Sequence, residues 1–407
     1  MSDSKRIEKN LRNMKHFTST PEQGCTRMPF SKEIRNAGVR LKELMKEANL
    51  EISEDSVGNI FGIRRGKDST KPAILCASHY DSVYNGGNYD GIAGVISALE
   101  IANMLNENKV KLERDYIVGA FMDEEGTRFG TGYFGSRSIL GEVSDYEIEN
   151  FKDRDGISVK EAMESYGLNP DDRKSAIWNN DRIATFLELH IEQGPLLDMK
   201  NVELGIVSGI VGMRRYLVRV KGRADHAGTT PMNMRKDAVD IATKVISQIS
   251  KFANEAGKDT VATTGLIKTK PSGINIVASE VEFSLDIRSI DMGKVKEVYS
   301  RISSLLDKLT SEVGATWEAT KTLDAKPTLM DKSYIDKLCN YAESRSYSYM
   351  IMPSGAGHDA LIIGEKYPAA MIFVPSKNGR SHSPEEYTPY EYFNKGIDVL
   401  YDFIINL

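Results

Sequence analysis

The sequence predicts an α/β fold in which a mostly parallel sheet forms one domain and a βαββαβ unit is inserted into it. Short, almost wholly apolar runs alternate with helical stretches, a pattern typical of parallel strands that are covered on both faces. The middle of the chain instead alternates apolar with polar residues, as antiparallel strands with one wet face do. At 407 residues, the chain also exceeds the size at which one core usually keeps growing.

The first sheet is predicted from four apolar runs, PAILCAS, DYIVGAFM, ATFLELH and AAMIFVP. Residues 5–50 are expected to be helical, and another helix is expected over residues 92–108. Three of the four runs lead into polar clusters that contain histidine or acidic residues. Because ligands of open α/β sheets bind beyond the carboxyl ends of the strands, a functional site is expected there.

The inserted domain follows from the order of the elements after residue 210. We predict strand, helix, strand, strand, helix and strand over residues 214–221, 235–254, 260–269, 280–288, 292–312 and 316–321. Helix–strand–helix patterning then resumes and completes the first sheet. The predicted domains are therefore residues 1–210 together with 326–407, and an insertion over residues 211–325.

Charge and cysteine content argue against several classes of protein. The 53 basic and 58 acidic residues give a net charge of −5 without a basic block, so neither nucleic acid nor a membrane is an expected partner. The chain shows no apolar signal segment and no long uncharged apolar run, so we expect a cytoplasmic location. Three widely spaced cysteines argue against a disulfide framework or a thiolate metal site. Any metal would be held by histidine and carboxylate.

The stretch ASHYDSVYNGGNYDG, residues 77–91, concentrates potential metal ligands after the first apolar run. His79 at the strand end can bind a metal ion, and Asp81, two residues on and pointing the same way, can accept the other ring N–H. Asp90 can return to the same ion because the intervening glycines relieve Cβ clashes. Considered alone, Asp90 is equally well explained as the cap of a following helix.

The stretch MDEEG, residues 122–126, places two adjacent glutamates after another apolar run. Adjacent side chains point in opposite directions, so Glu125 can bind metal while Glu124 faces the substrate water as general base. A solvated acidic turn is the alternative explanation for these acids taken by themselves.

The histidines are informative as a set. A single one is more often a hydrogen-bonded structural residue than a ligand. Together, the strand-end and turn residues supply the nitrogen and oxygen ligands that suit Zn²⁺ or a similar ion with positions open to water. These residues are His79, Asp90, Glu125, His190 and His382. Residues 130–135 match GxGxxG, but an acidic stretch separates them from the strand, so they do not predict a dinucleotide site.

Six blocks of the sequence resemble, in order, the hydantoinase/carbamoylase branch of the M20 metallopeptidase-like amidohydrolases. The blocks are ASHYDSVYNGGNYDG, DEEGTRFG, ELHIEQGPLL, GRADHAGTTPMNMRKDA, SGAGHDA and GRSHSPEEYT. The resemblance extends over about residues 5–405. It implies a di-metal catalytic domain with an inserted dimerisation or lid domain, and hence a homodimer.

The resemblance also implies a ligand set for two divalent ions, Zn²⁺ or alternatively Mn²⁺ or Co²⁺. Asp90 would bridge the ions, with His79 and His190 on one of them and Glu125 and His382 on the other. Peptidase relatives tend to carry an aspartate where this chain has His190, which favours the carbamoylase branch over an aminoacylase or a dipeptidase.

Catalytic and substrate-binding roles follow from the same resemblance. Glu124 would be the catalytic base, and His226 of the inserted domain would stabilise the oxyanion, typically in the partner subunit's site. The substrate would be held by Gln193, Asn275, Arg288, Gly357 and His358. Elementary chemistry supports these roles, because a guanidinium fork suits a carboxylate and one oxyanion donor is commonly worth about 3–4 kcal/mol. A surface ion pair for Arg288 and a hydrogen-bonded turn histidine for His226 are the alternatives.

The leading hypothesis is hydrolysis of N-carbamoyl-L-amino acids to the amino acid, CO₂ and ammonia. Allantoate amidohydrolase is the runner-up, with the same metals and the same carboxylate anchor, and an M20 aminoacylase or dipeptidase comes third; β-ureidopropionate is also left open as the ureido substrate. A metal-stabilised binding protein without turnover is the alternative from a different functional class.

Overall fold

The structure, a computed structural model, describes residues 1–407 and confirms the predicted α/β fold. The strands in chain order are β1 Glu51–Glu54, β2 Ile60–Arg64, β3 Ala73–His79, β4 Tyr116–Phe121, β5 Ile183–Ile191, β6 Leu204–Ile210, β7 Gly212–Lys221, β8 Asp225–His226, β9 Thr260–Thr263, β10 Ile267–Lys270, β11 Ile276–Val277, β12 Glu280–Ser289, β13 Thr316–Ala325, β14 Thr328–Leu329, β15 Tyr349–Ser354 and β16 Ala369–Val374.

Twelve α-helices connect and cover these strands. They are α1 Ser4–Met14, α2 Lys32–Glu47, α3 Ile92–Glu107, α4 Phe134–Ile139, α5 Asp145–Asn150, α6 Val159–Tyr166, α7 Leu196–Lys200, α8 Ala238–Ala256, α9 Met292–Val313, α10 Lys332–Ser344, α11 Asp359–Ile363 and α12 Tyr390–Ile405. None of them combines the length and the apolar character that crossing a lipid bilayer requires.

The chain divides into two compact units, one formed by Met1–Ser208 with Leu329–Leu407 and the other by Gly209–Thr328. The first unit contains a nine-stranded sheet in the order β1-β2-β4-β3-β5-β16-β6-β14, with β15 paired to β6. Its centre, β4-β3-β5-β16, is parallel, and antiparallel strands flank it on both sides. Every residue of β3, β4 and β16 is buried, which explains why these strands read as continuous apolar runs.

The prediction that residues 5–50 are helical is wrong for the middle of this range. Two helices, α1 and α2, are present, but residues 15–31 form an irregular connection. There the Thr18 hydroxyl accepts hydrogen bonds from the backbone N–H groups of Thr20 and Thr26, at 3.1 and 2.8 Å. Threonine side chains that satisfy backbone donors in this way compete with helix formation, and Pro21 and Pro29 oppose it further.

The second unit is a five-stranded antiparallel sheet, β10-β12-β7-β13 with β9 also paired to β12, together with helices α8 and α9. Its core is formed by alternate residues of the long strands and by the apolar faces of both helices. The single strand predicted over residues 260–269 is two strands, because the hydroxyl of Ser284 accepts hydrogen bonds from the backbone N–H groups of Gly265 and Leu266 between them. Helix α8 begins three residues later than predicted, where the carboxylate of Asp237 caps it.

Candidate active site

The parallel strands of the first unit end at a common edge of the sheet, and polar side chains collect there. His79 is the last residue of β3, the pair Glu124 and Glu125 follows β4, and His190 is next to the last residue of β5. His382 lies in the loop that follows β16. The order β4-β3-β5-β16 therefore brings together residues that are far apart in the sequence.

The carboxylate of Asp90 is the common contact of three histidines. Its Oδ1 lies 3.1 Å from Nε2 of His190 and 3.5 Å from Nε2 of His79. Its Oδ2 lies 3.1 Å from Nε2 of His382 and accepts a hydrogen bond of 2.8 Å from Nε2 of Gln193. The backbone turn that carries Asp90 leads directly into α3, so the carboxylate is held at the start of a buried helix.

Two groups of potential ligand atoms share this carboxylate. His79, Asp90 and His190 form one group, and Asp90, Glu125 and His382 form the other, with the ligand atoms of each group within 4.8 Å of one another. In the second group, Oε1 of Glu125 lies 3.5 Å from Nε2 of His382. Two further groups, His79 with Glu124 and Glu125, and Glu188 with His190 and His358, also bring potential ligand atoms together.

The hydrogen bonds of His190 show that the donor set fits a divalent cation. Its Nδ1 lies 2.8 Å from the carbonyl oxygen of Ile191, and its Nε2 accepts a hydrogen bond from the N–H of Gly91, at 3.2 Å. With its proton on Nδ1, Nε2 is an acceptor that faces the Asp90 carboxylate at 3.1 Å. Two acceptors in contact require a proton or a cation between them. Oε1 of Glu125 is also buried without a hydrogen-bond partner.

Several carboxyl and imidazole groups at the site have shifted pKa values. Burial opposes ionisation of Asp90, but hydrogen bonds to the histidines hold its pKa well below the usual range. The hydrogen bond to Asp90 raises the pKa of His382 to about 9, and burial followed by the charge of Asp90 raises the pKa of Glu125 to about 8. Cation binding at such a site is therefore coupled to proton release.

Glu124 lies beside the two ligand groups that share Asp90, and it does not contact Asp90 itself. It is 7% exposed, and its Oε2 lies 3.9 Å from Nε2 of His79. Burial, reinforced by the charge of Glu125, raises the pKa of Glu124 well above its usual range. The side chain is therefore able to take up and hold a proton at the edge of the ligand groups.

Asp81 joins the end of β3 to the turn that carries the two glutamates. Its Oδ1 lies 3.4 Å from Nδ1 of His79, but this contact lacks the geometry of a hydrogen bond. Its two oxygens instead accept hydrogen bonds from the backbone N–H groups of Glu124 and Glu125, at 3.1 and 3.2 Å. Asp81 thus orders the acidic turn and lies against the His79 ring.

Of the residues expected to hold the substrate, Gln193 and the turn at 357–358 also belong to the first unit. Gln193 contacts both Asp90 and His382 through its Nε2, and its Oε1 is buried without a partner. The ring of His358 is 2% exposed, lies 2.9 Å from the hydroxyl of Ser354 and packs 4.4 Å from the ring of His190. Gly357 adjoins Tyr133, whose hydroxyl occupies the space that a Cβ at 357 would need. His358 therefore packs against the ring of His190 in this structure.

The remaining predicted residues, His226, Asn275 and Arg288, lie in the second unit. His226 is exposed on β8, which pairs with β11, and its Nδ1 accepts hydrogen bonds from the N–H groups of Gly228 and Thr229, at 3.1 and 3.2 Å. This arrangement places the ring proton on Nε2, which makes that nitrogen a donor. Asn275 is adjacent, since its carbonyl accepts from the N–H of Ala227.

Arg288 is paired within its own strand. On β12, its Nε donates to Oδ1 of Asp286 at 2.9 Å, and Asp286 also accepts from Arg215 on β7 at 2.8 Å. This is the ion pair that the sequence analysis gave as the alternative to substrate binding. It also orients the guanidinium of Arg288 along the sheet.

Several buried polar residues around the site were not identified from the sequence. Arg27 is 2% exposed, and its guanidinium donates to the carbonyl oxygens of Met14, Phe17 and Tyr80, the last of these between His79 and Asp81. Its surrounding sequence, QGCTRMPF, is that of an ordinary loop and gives no signal of burial. Such residues become recognisable only when the tertiary contacts are known.

Residues 75–406 match Peptidase family M20/M25/M40. The chain belongs to this family. The resemblance to M20 amidohydrolases is thereby confirmed, and it extends to curated relatives. An N-carbamoyl-L-amino-acid amidohydrolase of Paenarthrobacter aurescens is 39% identical over 98% of this chain and 97% of its own length. An allantoate amidohydrolase of Bacillus subtilis (strain 168) is 34% identical over 96% of this chain and 94% of its own length.

A solved structure of an M20 relative agrees with these matches. The crystal structure of an amidase of the hydantoinase/carbamoylase family from Burkholderia multivorans covers 100% of this chain and 98% of its own, with a TM-score of 0.92 and 28% identity. This M20 protein is therefore a hydrolase of the amidohydrolase type, and its mixed α/β architecture is that of its structural neighbours.

Gly91 provides a test of the His79 geometry. Its φ is +65°, and a Cβ at this position would lie 2.3 Å from the ring of His79. Gly91→Ala is expected to push the imidazole away from Asp90 and to weaken metal binding on the order of 10- to 100-fold, as loss of ligand orientation commonly does. The change in Mn²⁺ affinity is measured by calorimetric titration of the metal-free proteins with Mn²⁺.

Gly130 supplies the matched control for this variant. It also has a positive φ, +80°, but nothing lies within 4 Å of a Cβ built there. Gly130→Ala carries the same kind of backbone strain, about 1 kcal/mol, without a clash, so its metal affinity should equal that of the wild type. Equal metal affinity in both variants would contradict the proposed position of the His79 ring.

Proposed function

We propose that this protein is a di-metal amidohydrolase that removes the carbamoyl group from N-carbamoyl-L-amino acids, giving the amino acid, CO₂ and ammonia. The observation that carries the proposal is the carboxylate of Asp90, shared by two groups of imidazole and carboxylate ligands. The 39% identical N-carbamoyl-L-amino-acid amidohydrolase supports the choice of substrate. Hydrolysis of allantoate is the second candidate, supported by the 34% identical allantoate amidohydrolase.

The proposed ligand assignment follows the two groups. His79 and His190 would hold one ion, Glu125 and His382 the other, and Asp90 would contact both; Zn²⁺, Mn²⁺ and Co²⁺ all accept such ligands. When bound, a pair of divalent ions polarises a carbonyl and makes hydroxide available near neutral pH.

Glu124 is proposed to move the proton in this reaction. It is buried beside the ligand groups, with its Oε2 3.9 Å from Nε2 of His79, and it is not itself assigned as a ligand. Glu124 would take the proton of the attacking water and pass it to the nitrogen that leaves the ureido carbon. Because the side chain is sheltered from bulk water, the proton stays within the site between the two steps.

The second unit is proposed to supply the contacts for the oxyanion and the carboxylate. With Nδ1 engaged as an acceptor, His226 carries its proton on Nε2 and can donate it to the oxygen that becomes negatively charged. Arg288, oriented by Asp286, would hold the substrate carboxylate together with Asn275 and Gln193. Gly357 and His358 are proposed to shape the pocket on the side of His190.

We further propose that the protein acts in the cytoplasm as a homodimer, with the second unit serving as dimerisation and lid domain. In this arrangement His226 would complete the site of the partner subunit. This part of the proposal rests on the family resemblance and on the exposure of His226.

Substrate choice is tested by ammonia release from three ureido compounds. The Mn²⁺- or Zn²⁺-loaded protein is incubated in parallel with N-carbamoyl-L-methionine, N-carbamoyl-β-alanine and allantoate. The highest kcat/KM is expected for the first, and a preference for allantoate would move the assignment to the second candidate with the same site. If metal is bound and none of the three compounds is hydrolysed, the proposed ureido chemistry is wrong.

The base is tested by Glu124→Gln. This change keeps the size of the side chain but removes its ability to accept a proton, so kcat should fall by about 10²- to 10⁴-fold. Metal content should stay at the wild-type level, because Glu124 is not assigned as a ligand. Wild-type turnover by this variant would eliminate Glu124 as the base, and a binding protein without turnover would release no ammonia with either form.

The role of His226 is tested by mixing two inactive variants. His226→Ala and Glu124→Gln subunits are unfolded together, refolded and purified as heterodimers. If His226 serves the partner's site, one site of each heterodimer contains both intact residues, and activity should return to as much as about half of the wild-type value per dimer. Verified heterodimers that remain inactive would show that His226 does not serve the partner's site.

A further inference from the structure

Glu386 is a buried carboxylate that belongs to neither ligand group and has no role in the proposed chemistry. It lies four residues after His382 and is 4% exposed. Its neighbour in the sequence, Glu385, is by contrast 68% exposed and forms a surface pair with Arg380 at 3.1 Å. Two adjacent glutamates thus have opposite environments, and the burial of Glu386 requires a structural explanation.

The hydrogen bonds of Glu386 connect two turns of the site. Its Oε1 accepts from the backbone N–H groups of Tyr89 and Asp90, at 2.8 and 3.1 Å. Its Oε2 accepts from the hydroxyl of Ser381, at 2.8 Å. Ser381 immediately precedes His382, so one carboxylate joins the turn of Asp90 to the turn of His382, across 296 positions of sequence.

Ser381 extends this connection to the shared ligand itself. Its hydroxyl lies 3.2 Å from Oδ2 of Asp90 as well as 2.8 Å from Oε2 of Glu386. Because the one hydroxyl proton of Ser381 goes to one acceptor at a time, Glu386 holds Asp90 through its backbone N–H and fixes Ser381 beside the Asp90 carboxylate. Without it, two buried N–H groups would lose their acceptor, which commonly costs about 1–3 kcal/mol for each unsatisfied group.

Gly87 shows that the backbone is shaped around this side chain. A Cβ at position 87 would lie 2.0 Å from Oε1 of Glu386 and 2.5 Å from its Cβ. Only a residue without a side chain lets the 86–90 turn approach the carboxylate so closely. The second glycine of NGGNYDG is therefore required by Glu386 and not by the metal ligands themselves.

We propose that Glu386 is a positioning residue that fixes Asp90 relative to His382 and thereby sets the metal affinity of the group formed by Asp90, Glu125 and His382. The inference rests on the proposed function only in taking these residues as ligands. Its mechanism is hydrogen bonding, and the negative charge is not essential. A glutamine side chain can keep the arrangement, since its oxygen accepts from both N–H groups while its NH₂ donates to the Ser381 oxygen, whose own proton can then go to Asp90.

The test compares four variants by metal binding. Glu386→Ala, Glu386→Gln, Glu385→Ala and Gly87→Ala are freed of metal, checked for folding by near-UV circular dichroism, and titrated with Mn²⁺ in a calorimeter. Co²⁺-loaded samples give visible absorption bands that report the ligand geometry. The kcat and KM for the best ureido substrate are measured on the same samples.

Glu386→Ala is expected to weaken binding of one of the two ions on the order of 10- to 100-fold, to change the Co²⁺ spectrum and to lower kcat more than it raises KM. Glu386→Gln should bind both ions within about threefold of the wild type. Gly87→Ala should reproduce the loss because it displaces an unchanged Glu386, and Glu385→Ala should equal the wild type.

Wild-type Mn²⁺ affinity and an unchanged Co²⁺ spectrum in Glu386→Ala would overturn the proposal. If Glu386→Ala fails to fold, Gly87→Ala and Glu386→Gln decide: wild-type affinity in Gly87→Ala, or a loss in Glu386→Gln as large as about 10-fold, would equally overturn it. Because metal titration requires no substrate, failure of Glu386 as a positioning residue is distinguishable from failure of the proposed ureido hydrolysis, in which the wild type binds both ions but releases no ammonia.

Discussion

The contact of one buried carboxylate, Asp90, with three imidazoles is the constraint on which the rest of the site depends. Asp90 is 6% exposed, and both of its oxygens are engaged. A buried anion is costly unless positive charge or hydrogen bonds surround it. The histidines provide such contacts, and the same atoms are the ones proposed to bind the cations. The surrounding turns are built to keep this carboxylate in place.

The order of the strands in the sheet places the remaining proposed ligands next to Asp90, without the need for long loops to reach it. Parallel strands deliver their carboxyl ends to one edge, so residues from four separate parts of the chain meet around Asp90. The strands themselves are buried, and the polar side chains of the site lie near their ends and in the turns beyond them. This division places precise geometry on a stable framework, which is what a site for two neighbouring cations requires.

Sequence reasoning succeeded for the fold where the signal was local, and it drew attention to histidines that fall together at strand ends and in turns. The buried strands, the antiparallel insertion and the strand-end histidines all follow from periodicity and from residue chemistry. The irregular segment 15–31 was missed although Pro21 and Pro29 lie in it, and its hydrogen bonds with Ser82 and Asn85 depend on partners distant in sequence. Glu386 was missed for a similar reason, since nothing in PEEY distinguishes the buried glutamate from the exposed one. The roles proposed for residues of the second unit came from the family resemblance, because composition alone does not indicate a function for them.

Metal uptake by Asp90→Asn tests the central claim most directly. Metal-free wild type and variant are titrated with Mn²⁺ by calorimetry, and the bound metal is counted after dialysis. If Asp90 is shared by both ligand groups, the wild type should take up two ions per chain, and the variant should lose both together, with affinities reduced by at least about 100-fold. A variant that binds two ions with wild-type affinity, or that loses only one of them, would contradict the shared role of Asp90.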